Sequence, residues 1–129
     1  MTAQPLAWFE STGLPEEAFS VAPVIKKYRE IQADLHNGNI FPIGEEPSGK
    51  SWCGFQSVQK NKGYFIVFRE SNNDREYSVK TWLNEGTTID CTPVLGSGKT
   101  FSTKVGEEGS VSFRLPEKNS YVLYRYSIK

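Results

Sequence analysis

Helical periodicity occurs in one stretch of this chain and ends before Gly38, and no fold that needs several long helices is compatible with that. Val21, Val24, Ile25, Tyr28, Ile31 and Leu35 recur at helical spacing, while Lys26, Lys27, Arg29, Glu30 and Asp34 fill the intervening positions. The spacing predicts a helix over 21–36, a rod of roughly 24 Å at 1.5 Å per residue, with one apolar stripe that needs cover. Ser20 is expected as its N-cap, Pro23 falls in the first turn, and Asn37-Gly38 offers a positive-φ residue at its end. A shorter helical start is expected at Glu16-Glu17-Ala18-Phe19, directly after Pro15.

Beyond Gly38 the pattern becomes short runs rich in β-branched and aromatic residues, separated by turn residues. Strands are expected over 51–58, 64–70, 76–83, 88–94, 100–105, 111–115 and 121–128. Asn61-Lys62-Gly63, Asn84-Glu85-Gly86 and Gly96-Ser97-Gly98 are typical of the tight connections that make neighbouring strands antiparallel. Tyr64-Phe65-Ile66-Val67-Phe68 is apolar on both faces and should be a central strand, with the sandwich core on one side and the long helix on the other. Val111, Phe113 and Leu115 alternate with Ser110, Ser112 and Arg114, so that strand should have one wet face. The expected architecture is mainly β, an antiparallel, Greek-key-like β-sandwich over 39–129 preceded by a helical segment over 1–38.

A length of 129 residues suits one core. The 15 basic and 15 acidic residues cancel, so no net field draws the chain to nucleic acid or an anionic membrane. No run approaches the roughly 20 apolar residues of a bilayer span, and the first residues lack the pattern of a signal peptide. If a longer protein precedes Met1, an export signal would lie upstream, and the compartment stays open. Cys53 and Cys91 could form one disulfide or remain buried thiols; their strand-like settings favour thiols. With no CxxC pair and a single histidine, His36, a structural metal site is not expected, nor is any cofactor.

Several motifs imitate chemistry. Gly98-Lys99-Thr100 ends like a phosphate-binding loop, but Pro93 stands where that pattern needs its first glycine, and the residues after it read as strand rather than helix. His36, at a helix end, suits interaction with the negative helix terminus better than a catalytic triad. Asp34, Asp74 and Asp90 are scattered, and adjacent Glu45 and Glu46 point to opposite sides if extended, so no glycosidase-like carboxylate pair emerges from spacing. Trp52 and Trp82 are candidates for stacking on sugar rings, although aromatics in strands more commonly pack in the core.

One string of residues is more specific. Over 40–55 the chain reads Ile-Phe-Pro-Ile-Gly-Glu-Glu-Pro-Ser-Gly-Lys-Ser-Trp-Cys-Gly-Phe, with Gln-Pro-Leu-Ala-Trp-Phe-Glu upstream over 4–10 and Gly-Tyr-Phe-Ile-Val-Phe-Arg-Glu downstream over 63–70. Together these resemble the C-terminal portion of melibiase-like α-galactosidases and related family 36-type, clan D glycoside hydrolases, best in the first 70 residues and weakly in the later strands. The resemblance implies a larger enzyme, in which a (β/α)₈ catalytic barrel is followed by an antiparallel sandwich packed against it. A barrel takes about 250 residues and carries the catalytic aspartates at its strand ends. No catalytic residue can therefore be carried over to this chain.

On that reading the chain is a non-catalytic domain that supports the barrel, its main partner. Leu6, Trp8, Phe9, Leu14 and Phe19 would pack on the barrel, and without it they would favour self-association or disorder of the first dozen residues. The alternative is a carbohydrate-binding module that uses Trp52 or Trp82.

Overall fold

The computed structural model describes Met1 and residues 13–129. Two helices open this part of the chain, α1 (Glu16–Phe19) and α2 (Ala22–His36). Eight strands follow: β1 (Asn39–Gly44), β2 (Trp52–Val58), β3 (Lys62–Arg69), β4 (Glu76–Lys80), β5 (Thr88–Gly96), β6 (Phe101–Lys104), β7 (Ser110–Arg114) and β8 (Ser120–Ile128). Six of them form one antiparallel sheet in the order β1-β2-β3-β8-β5-β6, and β4 pairs with β7 in a second. The last strand, β8, lies between β3 and β5, so the chain passes between the two sheets instead of meandering through one. The expected β-sandwich architecture is thus present.

The main core lies between the sheets. Trp52, Phe65, Val67, Ile89, Cys91, Tyr124 and Tyr126 from the large sheet meet Val79, Val111 and Phe113 from the small one. Phe65 packs edge-on against Phe113, with ring centroids 5.3 Å apart, and stacks on Tyr126 at 4.5 Å. The outer face of the large sheet carries a second cluster, in which Ile31 and Leu35 of α2 pack on Tyr64 and Leu123. β3 sits between these layers, Phe65 and Val67 on one side and Tyr64 and Ile66 on the other. Its doubly apolar sequence matches that place. β7 alternates as expected, with Val111 and Phe113 buried and Ser112 and Arg114 exposed.

Four local features depart from the sequence reading. β1 was not expected, because Pro42 falls inside it; it is an edge strand, where a residue without an N–H is tolerated. Ser20 is not an N-cap: its Oγ donates 2.6 Å back to the Glu17 carbonyl, and Val21 caps α2 without a side-chain hydrogen bond. Asn37 ends α2 in right-handed geometry rather than at positive φ. Gly38 is required for a different reason, since a Cβ there would collide with the Ser57 Oγ. Finally, β5 continues past the expected end through a bulge between Pro93 and Leu95, which lets both Val94 and Leu95 pack on the cluster beneath α2.

Cys53 and Cys91 are both free and buried. They occupy opposite faces of the large sheet, Cys91 in the inter-sheet core and Cys53 on the outer face beside Phe55 and Phe68, so a disulfide is geometrically denied. Burial pushes the Cys91 thiol up to about 12, which leaves it protonated and inert.

Candidate functional site

The sugar-stacking candidates separate sharply. Trp52 is fully buried; its Nε1 donates 3.2 Å to the Asp74 carbonyl and its ring stacks on Tyr77. It presents no face to a solute, so that assignment is corrected: the alternation that begins β2 turns this side chain inward. Trp82 is 57% exposed, because the chain leaves β4 after Lys80 and the following turn carries the indole outside the sandwich. Its Nε1 donates 3.0 Å to the Pro42 carbonyl, its ring leans on Phe41 at 4.6 Å, and its backbone N–H donates 2.8 Å to Gln56 Oε1. Gln56 is wholly buried, and its Nε2 donates 3.1 Å to the Tyr126 hydroxyl. The exposed indole is therefore held by Pro42 and Phe41, and its backbone by Gln56.

Of the residues expected to meet a barrel, Leu6, Trp8 and Phe9 lie outside the described residues. Leu14 and Phe19 are exposed, Phe19 at 63%, and Val21 and Val24 beside them are exposed as well. Only the C-terminal half of the α2 stripe, Ile31 and Leu35, is buried. α1 and the start of α2 thus present an apolar surface that nothing among the described residues covers.

Past the end of α2 the outer face of the large sheet remains open. Pro42, Cys53, Phe55, Phe68 and Tyr121 line a groove of ≈ 750 Å³, with Glu45 and Glu70 at its rim. The rim carboxylates are structural. Glu45 accepts from the Trp52 N–H and the Tyr77 hydroxyl, and Glu70 accepts from the N–H groups of Ser48 and Ser51. Those backbone donors hold the Glu70 carboxyl below its ordinary pKa.

The carboxylates of Asp34 and Asp90 are similarly occupied. Asp34 accepts from Lys62 Nζ and the Tyr64 hydroxyl, both at 2.7 Å, and these bonds depress its pKa. Asp90 pairs with Lys129 at 2.9 Å. Asp74 contributes its carbonyl to Trp52. His36 lies in the last turn of α2 with no hydrogen-bond partner for Nε2. Residues 97–100 connect β5 to β6 as a hairpin turn, and Gly96 enters it at φ 83°. No group of three or more metal-ligating side chains exists among the described residues.

Arg69 was not foreseen. It is 2% exposed, and its guanidinium donates to the carbonyls of Asn72, Asn73, Leu115 and Pro116 over 2.7–3.2 Å. A lone arginine at a strand end carries no sequence mark of such a role. The chain matches no protein-family model, no curated protein and no solved structure at a significant level.

Proposed function

We propose that the chain is a non-catalytic C-terminal domain of an α-galactosidase-like glycoside hydrolase, a sandwich that supports the catalytic barrel. The observation that carries this reading is the uncovered apolar surface of Leu14, Phe19, Val21 and Val24, placed where the resemblance puts the junction with a barrel. The residues of the 40–55 string form β1, the loop after it and the first half of β2, at the edge of the sheet where the open groove lies. The carboxylates of Asp34, Glu45, Glu70 and Asp90 are each engaged by hydrogen bonds or an ion pair that hold the helix, loops and strands.

The isolated chain is expected to hydrolyse p-nitrophenyl α-galactoside no faster than buffer; turnover above background that co-purifies with the folded chain would overturn the proposal. A second reading, a sugar-binding module, is favoured by the fixed and exposed Trp82. In a titration with galactosides, a saturable change in tryptophan fluorescence that Trp82→Ala removes would support it over a purely structural role.

A further inference from the structure

On the outer face of the large sheet, cross-strand partners form successive rows. Ser57, Tyr64 and Arg125 make one, Phe55, Ile66 and Leu123 the next, and Cys53, Phe68 and Tyr121 the third. α2 sits over the first two: the Leu35 carbonyl accepts from Ser57 Oγ, and Ile31 and Leu35 pack on Tyr64 and Leu123. The third row lies four residues along the strands from the first, about 13 Å, whereas helices packed side by side are about 8–10 Å apart. One helix therefore leaves a further helix's width of sheet bare. The groove of Phe55, Phe68 and Tyr121 occupies that width, its rings half-buried, and nothing among the described residues covers it.

The charges that line this groove are of one sign at its surface. Glu45, Glu46 and Glu70 are there, and the one cation, Arg69, is buried with its guanidinium committed to backbone carbonyls. Burial first, then the charges of Glu70 and Glu45, push the Cys53 thiol up, so the field of those carboxylates reaches the groove floor. The start of α2 has the opposite character. From Val21 to Arg29 it carries Lys26, Lys27 and Arg29, all exposed, and no carboxylate, beside the bare side chains of Val21 and Val24; the acids of this region, Glu16 and Glu17, belong to α1. None of Lys26, Lys27, Arg29, Glu45, Glu46 and Glu70 takes part in the ion pairs found among the described residues.

We infer that the groove is the seat of α2 from a second copy of this chain, with Val21 and Val24 against Phe55, Phe68 and Tyr121 and the helix cations facing the rim carboxylates. Helical shape, apolar stripe and basic flank are the three properties the open face asks for, and the chain itself carries all three. Helix and groove are distinct surfaces present on every copy, so a reciprocal exchange fills both and stops at a dimer, whereas one-sided seating would continue from copy to copy. A barrel seated on the start of α2 would displace the second copy, so the two uses of the helix exclude each other; the inference does not rest on the barrel reading.

The test is sedentation of the intact chain over a concentration series, by analytical ultracentrifugation, with amide NMR across the same series. Mass is expected to level off at the dimer, with concentration-dependent shifts both at 19–29 and at 53–55, 68–70 and 119–121. Glu46→Lys, at an exposed position whose carboxylate holds nothing, should raise the dimer dissociation constant about fivefold or more, as should Lys26→Glu combined with Lys27→Glu, because each replaces attraction by repulsion at both halves of the interface. Joining all three substitutions in one chain should return the constant to within about twofold of the parent value, an outcome that a misfolded variant cannot give. The inference fails if the chain stays monomeric, if mass grows without levelling, if the shifts avoid the groove, or if the charge reversals leave association unchanged or fail to compensate one another. None of these results bears on the support of a barrel, which the hydrolysis assay addresses.

Discussion

At the scale of single residues, buried polar and charged side chains tie together segments far apart in the chain. Arg69 donates to four backbone carbonyls, that of Leu115 buried, and so joins the loop after β3 to the segment between β7 and β8. A planar fork with five donors can do this, whereas a lysine ammonium has three donors at one point. Arg69→Met should therefore destabilise the fold by about 3 kcal/mol or more in urea denaturation, and Arg69→Lys should recover only part of the loss. A change below about 1 kcal/mol for the methionine variant would mean that these carbonyls find other partners. Gln56 has a comparable place, since its two ends connect the buried Tyr126 hydroxyl to the backbone of the exposed Trp82. Neither role was legible in the sequence, because a polar residue in a strand pattern reads as outward-facing until the partners that surround it are known.

Among the elements, α2 matters most, for it is joined to the sheet by both apolar and polar contacts. Leu35 is fully buried and its carbonyl accepts from Ser57 Oγ at 2.6 Å, while Asp34 accepts from Lys62 and Tyr64 of β3. Arg125 of β8 extends the network, its Nε donating 3.2 Å to the Tyr64 hydroxyl. The bonds from Lys62 and Tyr64 depress the Asp34 pKa in the folded state. A depressed carboxyl contributes stability that is fully present above its unfolded pKa, about 3.9, and is lost as pH falls through the folded value. Melting temperature followed on acidification below about pH 4 should decline less steeply in Asp34→Asn than in the parent chain. Equal slopes would show that the helix clamp does not titrate. The helix itself, its approximate ends and the central place of β3 were readable from periodicity and doubly apolar composition. Its N-cap and the reason for Gly38 were not: the first depends on how α1 turns into α2, and the second on how closely β2 approaches.

For the whole molecule, the distribution of exposed apolar surface carries the functional reading. The apolar stripe of α2 is buried at one end and bare at the other, where Phe19, Val21 and Val24 face outward beside Leu14. The isolated chain is expected to self-associate with rising concentration in light scattering, and Phe19→Ser combined with Val24→Ser should shift it towards monomer without lowering its melting temperature. A parent chain that stays monomeric at every concentration would remove the surface as an interface. The sequence alone established the class of this protein, one amphipathic helix followed by an antiparallel sandwich, because side-chain periodicity and turn residues act over a few neighbouring positions. It also limited the chemistry, through a balanced charge and a scattered set of carboxylates. Only the tertiary structure decided which aromatics face solvent and that Cys53 and Cys91 lie on opposite faces of the large sheet. Those outcomes depend on which strands become neighbours, and residues far apart in the chain set that.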